Sequence, residues 1–171
     1  MPGFLWIPTV FGVGVAVALV GWFASVSYGA SHGAPRFTMA VRDGGSGADR
    51  AYGVAADAQG NVYTVGVFSG PAVLAGSPVA SAGGFDGYVS KTAADGTPLW
   101  VRTFGGGSEN VNGDSPLAVA VAADGGAYVT GFFSGTCAFD GETYASLGGT
   151  DLFLAKYDAD GVRRWTRVGG S

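Results

Sequence analysis

The sequence predicts an all-β fold of two four-stranded repeats that follow an N-terminal apolar helix. Three observations carry this prediction. Residues 11–28 form one predominantly apolar stretch. In the rest of the chain, short runs of β-branched and aromatic residues alternate with turns that contain glycine and aspartate. Residue identities also recur at a constant spacing of 65 positions, which is typical of a repeat architecture.

Composition excludes two classes of protein. Hydrophobic residues make up 47% of the 171 residues and charged residues 13%, which excludes a highly charged disordered chain. The net charge is −4 with nine lysines and arginines in total, and these are spread along the sequence. Nucleic-acid binding needs a basic face that neutralises phosphates. We therefore expect no nucleic-acid partner.

Residues 1–28 are predicted to be a signal peptide or a transmembrane anchor. No lysine, arginine, aspartate or glutamate precedes Arg36, and the 18 apolar residues approach the length of about 20 that spans a bilayer. A signal peptide normally begins with a basic region, which is missing here, so a retained anchor is favoured. The orientation in the membrane stays open. Residues 29–35 are predicted to be a linker. Both interpretations predict an exported, cell-surface or membrane-anchored protein.

Residues 36–171 are predicted to hold two repeats, at about 49–104 and about 114–169. The segment Val54–Gly70 aligns with Val119–Gly135, and the same offset continues downstream. We predict that positions kept in both repeats form their framework rather than a ligand site. These matched positions include Tyr63 and Tyr128, Gly66 and Gly131, Lys91 and Lys156, Trp100 and Trp165, and Arg102 and Arg167.

Each repeat is predicted to contain four main strands, near 51–57, 61–68, 87–92 and 98–104 in the first copy. A segment with a weaker strand pattern lies between the second and third strands. Asp-Gly turns join the third strand to the fourth. Four antiparallel strands in a repeating unit are the plan of a β-propeller blade. Two blades leave open strand edges and an uncovered apolar face. The prediction is therefore a partial β-propeller, or one completed by a homo-oligomer or by further blades.

The repeat pattern resembles a known family. Each copy approximates A-x-D-x-x-G-N-V-Y-T-x-G, then S-G, then G-G-x-D-x-x-V-x-K-x-x-x-D-G-x-x-x-W-x-R-T-x-G-G. This pattern resembles the bacterial seven-bladed β-propeller repeat (SBBP repeat) over roughly residues 37–171. The resemblance implies an exported or surface protein with propeller architecture, and it brings no catalytic residues. One departure is that Ala122 and Gly126 stand where the first repeat has Asp57 and Asn61.

A loop between the repeats is a weak calcium candidate. Ser108, Asn110, Asn112 and Asp114 place oxygen-bearing side chains at every second position, with a glycine inside the series. This imitates the start of a calcium-binding loop, in which several oxygens surround the ion on a sharp turn. The first ligand is a serine, however, and Val119 occupies the position of the bidentate glutamate. A solvated polar turn is the preferred interpretation, so no cofactor is predicted, with calcium as the alternative.

The sequence predicts a protein that is not an enzyme. The single histidine, His32, lies in the predicted linker, and the single cysteine, Cys137, has apolar neighbours. Aspartates are numerous, so a catalytic carboxylate pair stays open at this point. We expect a non-enzymatic extracytoplasmic repeat protein that acts as a binding or scaffold surface. The alternatives are a lectin-like carbohydrate-binding module completed by self-association, and a truncated fragment of a larger propeller protein. Its ligand, whether glycan or protein, is not specified.

Overall fold

The computed structural model describes residues 40–107 and 113–171, and every regular element within them is a strand. The all-β prediction is therefore confirmed for this part of the chain. The strands form three antiparallel sheets, none of which closes on itself. They are β1 (Gly44–Gly45), β2 (Arg50–Ala56), β3 (Val62–Phe68), β4 (Pro71–Leu74), β5 (Ser77–Ala80), β6 (Asp86–Thr92), β7 (Pro98–Gly105), β8 (Ser115–Val121), β9 (Ala127–Phe133), β10 (Thr136–Phe139), β11 (Glu142–Ala145), β12 (Asp151–Tyr157) and β13 (Arg163–Gly169).

Strands β2 to β7 each recur 65 residues later, as β8 to β13. The four main strands of the first repeat lie within one or two residues of their predicted bounds. The segment between the second and third predicted strands forms a hairpin in both repeats, β4–β5 and β10–β11. The six-stranded sheet has the order β11-β10-β7-β6-β3-β2, the four-stranded sheet β13-β12-β9-β8, and the three-stranded sheet β1-β4-β5.

Burial differs between matching strands. Strand β9 alternates between buried and more exposed residues, the pattern of a strand with one face on the core. Its counterpart β3 is buried at Tyr63 and at each of the four positions from Val65 to Phe68. The β3 pattern is that of a strand covered on both faces. The sheet of the first repeat is thus covered on two sides at Val65–Phe68, and the sheet of the second repeat on one.

The tight turns are held by aspartate side chains. Asp57 Oδ1 accepts hydrogen bonds from the amides of Gln59 (3.0 Å) and Asn61 (2.9 Å). In the second repeat, Asp158 Oδ1 accepts from the amides of Asp160 (3.0 Å) and Val162 (2.8 Å). Aspartate bonds to nearby backbone amides in this way when it nucleates a turn. These bonds fix where each turn places its carbonyl groups.

The two repeats share one hydrophobic core. Strand β10 of the second repeat pairs with β7 of the first, with Phe139 opposite Phe104. The rings of these two residues lie 4.7 Å apart, and that of Phe153 lies 5.2 Å and 5.0 Å from them. Strand β8 also lies against β2, since a Cβ added to Gly53 would approach the Ala118 Cα to 3.4 Å. The hairpin of one repeat thus extends the sheet of the preceding one.

The predicted anchor at residues 1–28 and the predicted linker at residues 29–35 lie outside the described residues. Within residues 40–107 and 113–171 no helix has the length and apolar character needed to cross a membrane.

Candidate binding surfaces

Side chains of the first repeat donate hydrogen bonds to turns of the second. Trp100 Nε1 donates to the carbonyl of Ala159 at 2.9 Å, and Lys91 Nζ donates to the same oxygen at 3.3 Å. Lys91 also lies 3.6 Å from the carboxylate of Asp57, and both side chains are buried. Gly161 packs on the Trp100 ring so closely that an added Cβ would lie 2.6 Å from it. The β12–β13 turn therefore covers this lysine and tryptophan.

Two further donors complete this contact. The hydroxyl of Tyr63 donates to the carbonyl of Gly125, in the β8–β9 turn. Arg102 Nη2 lies 3.4 Å from the carbonyl of Asp160. Such bonds satisfy buried polar groups that would otherwise destabilise the contact. We call the four side chains that bind turns of the next repeat the first donor set: Tyr63, Lys91, Trp100 and Arg102.

The second repeat carries the same four residue types, which we call the second donor set: Tyr128, Lys156, Trp165 and Arg167. Lys156 Nζ donates to the Tyr128 hydroxyl at 3.1 Å, and this bond, with Asp124 3.4 Å away, raises the pKa of the lysine. The Arg167 guanidinium lies 5.9 Å from the Trp165 ring centre. Lys156 and Trp165 are half-buried and Arg167 is exposed, so this set is accessible in the described structure.

The second donor set belongs to a wider uncovered surface. Cross-strand pairing aligns Leu154 with Thr130 and Arg167, and Leu152 with Phe132. Leu152 is 60% exposed and Leu154 37% exposed, whereas the counterpart of Leu154 in the first repeat, Val89, is fully buried. We call this surface of strands β9, β12 and β13 the open face. Exposed apolar groups that adjoin oriented polar groups are typical of interaction sites.

A cleft of about 330 Å³ lies on the opposite side of the described structure, against the first repeat. Val62 and Thr64 line it, together with Thr92. Their counterparts 65 positions later include Ala127 and Val129, which are fully buried in the core that joins the two repeats. The cleft is thus the counterpart of the surface that the second repeat uses to contact the first.

Charged and aromatic groups line the rest of the cleft. Asp43 accepts from the Ala75 amide at 3.0 Å, and Asp49 accepts from the Gly45 amide at 2.7 Å. Burial, with these two carboxylates nearby, raises the pKa of Tyr88 to about 12. Tyr88 is therefore a neutral hydrogen-bonding group at physiological pH.

Only one residue of the calcium candidate falls within the described structure. Ser108, Asn110 and Asn112 lie outside it. Asp114 is fully buried, and its amide donates to the carbonyl of Phe85 at 3.0 Å. Burial, and secondly the carboxylate of Asp86, raises the pKa of Asp114 to about 7. No group of three or more potential metal ligands occurs among residues 40–107 and 113–171, and calcium binding stays a prediction.

The cysteine thiol and one neighbouring carboxylate are buried. Cys137 is fully buried, and burial together with the carboxylates of Asp114 and Asp86 raises the pKa of its thiol. Asp86 is 4% exposed, and one of its oxygens accepts from the Ala82 amide at 2.7 Å. A thiol of this kind is protonated at neutral pH and is a poor nucleophile. His32 lies outside the described residues.

Sequence comparison of the repeats identifies the donors but misses their acceptors. The donors are side chains that stay identical in both copies, so an offset of 65 reveals them. The acceptors are backbone carbonyls at Gly125, Ala159 and Asp160, and a carbonyl is present at every residue whatever its side chain. The signal for them is indirect: glycine turns recur 65 positions apart in the two repeats, at Gly60 and Gly125 and at Gly96 and Gly161.

A scan of protein-family models finds none that matches this chain, and a comparison with curated proteins finds no match either. The resemblance to the SBBP repeat therefore depends on the residues quoted above.

Proposed function

We propose that this chain is a non-enzymatic β-propeller-type repeat module that is exported or membrane-anchored and acts as a binding or scaffold surface. The observation that supports it is the open face, where the second donor set and exposed leucines stand uncovered. The same residue types in the first repeat already bind a turn of the second repeat.

The burial of the thiol and of the carboxylate with the most strongly raised pKa favours binding over catalysis. Substrate has no direct access to Cys137 or Asp114, whose side chains are fully buried. On the open face, the accessible polar groups include hydrogen-bond donors on long side chains, Lys156 and Arg167. Groups of this type recognise carbonyls and carboxylates at interfaces.

The chain's own lysines provide the test of the binding surface. Lys91 and Lys156 are its only lysines; the first is 6% exposed and the second half-buried. In dilute purified protein, we expect an amine-acylating reagent to modify Lys156 faster than Lys91. In membranes of expressing cells, an occupied open face should lower the Lys156-to-Lys91 ratio, read by peptide mass spectrometry. An identical ratio in both samples would contradict a binding role for this face.

Export is tested separately with an introduced thiol. Thr143 is exposed on β11, whereas the natural Cys137 is fully buried and serves as an internal control. A membrane-impermeant maleimide is expected to label Thr143→Cys in intact cells and to leave the wild-type chain unlabelled. Labelling that appears only after lysis would show that residues 36–171 face the cytoplasm.

A lectin-like function is the second candidate, favoured by the accessible ring of Trp165 beside Tyr128 on the open face. Aromatic rings with a polar edge are suited to ligands that have both apolar and hydroxyl groups. A glycan panel is screened by tryptophan fluorescence, with Trp165→Phe as the matched control. A flat response over the panel, or one that survives Trp165→Phe, would argue against a glycan site here.

A further inference from the structure

The carbonyls that bind the first donor set have counterparts 65 positions earlier, in turns of the first repeat. These counterparts are Gly60, Ala94 and Asp95. Ala94 and Asp95 are exposed and Gly60 is half-buried. The described structure therefore carries an unused donor set on the second repeat and an accessible acceptor set on the first.

The β2–β3 turn has the backbone geometry of the β8–β9 turn. The Gly60 amide donates to the Asp57 carbonyl at 3.0 Å, and the Gly125 amide donates to the Ala122 carbonyl at 2.9 Å. The φ angles of Gly60 and Gly125 are 81° and 76°. Two turns with the same bonding and the same left-handed residue place their carbonyls alike. Gly60 is thus able to accept from a tyrosine as Gly125 does.

The β6–β7 turn likewise matches the β12–β13 turn. The Gly96 amide donates to the Ala93 carbonyl at 2.9 Å, and the Gly161 amide donates to the Asp158 carbonyl at 3.0 Å. Their φ angles are 91° and 76°. Gly161 lies on the Trp100 ring and is buried, whereas Gly96 is half-buried. The glycine that would contact a tryptophan ring is in place and unused.

We propose that a second copy of this chain docks on the open face, with the β2–β3 and β6–β7 turns of its first repeat over the second donor set. This inference rests on the proposed function, because it names the partner of the same surface. The Tyr128 hydroxyl then donates to the incoming Gly60 carbonyl. Lys156 and Trp165 donate to the incoming Ala94 carbonyl. The arrangement repeats the contact already present between the two repeats of one chain.

The apolar parts of the two surfaces also correspond. The incoming copy presents its cleft, lined by Val62, Thr64 and Thr92, to the open face. Leu154, 37% exposed, then occupies the position that the fully buried Val89 holds in the first repeat. Burial of this apolar surface is the main favourable contribution to association. Docking therefore removes from water two surfaces that a single copy leaves exposed.

Docking also changes one strand pairing. In the first repeat, Phe104 and Gly105 of β7 pair with the hairpin strand β10. The counterparts of this pair are Gly169 and Gly170, which lie opposite Leu74 and Val73 of the incoming hairpin strand β4 at the same offset. In the present structure β4 is paired with Gly44 and Gly45 instead. These two residues are displaced from β4 when Gly169 and Gly170 of the other copy replace them.

The two docking surfaces are different parts of the chain, so the contact is head-to-tail. A copy bound at one end still presents the other end to a further copy. Association therefore proceeds beyond a dimer, to a closed ring or an open chain, and grows with protein concentration. A variant that blocks one surface should stop this growth altogether.

The test uses the full chain at a fixed detergent concentration, over about 1 µM to about 100 µM protein. Light scattering after size exclusion reports the mass, and amine acylation reports the Lys156-to-Lys91 ratio. Ala94→Arg blocks the acceptor turn with a bulky cation that would face Lys156. Thr143→Arg is the matched control, since Thr143 is exposed on β11, away from both surfaces.

For the wild-type chain and Thr143→Arg, the mass is expected to rise with concentration while the acylation ratio falls about fivefold or more. Ala94→Arg should remain monomeric with an unchanged ratio. A wild-type monomer with a constant ratio would overturn the proposal, and so would association that persists in Ala94→Arg. A monomer whose ratio still falls in membranes would overturn self-docking alone and leave the proposed binding function intact.

Discussion

The two donor sets have the same residue types in the same register, but they differ in what covers them and in the partners of the lysine. Trp100 is 8% exposed because the β12–β13 turn lies on it, whereas Trp165 is half-buried beside Arg167. Lys91 reaches a carbonyl of the next repeat, but Lys156 turns to Tyr128 and Asp124 of its own repeat. Identical side chains thus serve as buried contacts in one repeat and as an accessible surface in the other.

The comparison shows that burial of these side chains depends on their surroundings and not on their residue type. A repeat sequence encodes one surface that donates and one that accepts, and each internal contact uses one of each. With two repeats, one donating surface and one accepting surface remain. The second donor set is therefore a direct consequence of repetition, and its energetic role depends on whether another repeat covers it.

The largest expected difference in stability between the two repeats is between the variants of their tryptophans. Trp100→Ala removes a buried ring and its bond to Ala159, and we expect the free energy of unfolding to fall by about 3–5 kcal/mol. Trp165→Ala removes a half-buried ring that lacks such a cover, so we expect a loss of about 1 kcal/mol. Urea unfolding of dilute protein, followed by circular dichroism, measures both values. Equal losses would show that coverage by the next repeat contributes little.

Much of the fold was predictable from sequence because its signals are local. Alternating β-branched residues and Asp-Gly turns located the four main strands of each repeat, and an offset of 65 aligned the two copies. The pairing of β10 with β7 was not predictable in this way. It joins residues 33 and 35 positions apart in different repeats, and their short apolar runs do not specify a partner strand. Three-dimensional structure was needed to place the hairpin on the preceding sheet.

The candidate site was predicted only in part. Conserved spacing identified Tyr63, Lys91 and Trp100, but not that their partners lie in the next repeat. The sequence also did not predict that Asp114 is buried, because the contacts of its side chain depend on how the two repeats meet. The sequence specifies each side chain, whereas packing decides which carbonyls meet the donors and how low the local dielectric constant is.

The free energy of unfolding is expected to depend on pH through Asp114, which lies where the two repeats meet. The size of this effect is intermediate among the predictions. The pKa of Asp114 is raised to about 7, chiefly by burial, so the folded state binds its proton more tightly than the unfolded state. Asp114 therefore contributes stability below about pH 4, and this contribution is lost as the pH rises towards 7. Across this range we expect it to lower the free energy of unfolding by up to about 4 kcal/mol.

Asp114→Asn mimics the protonated carboxyl and should remove this slope. The variant and the wild-type chain are expected to unfold at similar urea concentrations at pH 4, where both carry a neutral side chain. At pH 8 the variant should be the more stable of the two. A variant that is less stable than the wild-type chain at pH 8 would indicate that the ionised carboxylate stabilises the junction.

The tyrosines give the smallest expected difference and test one hydrogen bond across the contact. Tyr63→Phe removes the hydroxyl that donates to the buried turn at Gly125, and about 1 kcal/mol of stability should be lost. Tyr128→Phe removes a hydroxyl that accepts from Lys156 at the protein surface, where water replaces it, so the change should be within about 0.5 kcal/mol.

At high protein concentration, however, docking of a second copy gives the Tyr128 hydroxyl a carbonyl partner, and Tyr128→Phe should then weaken self-association. Unfolding of dilute protein and light scattering of concentrated protein measure the two effects. If Tyr128→Phe changes neither, the correspondence between the two donor sets is one of sequence and not of function.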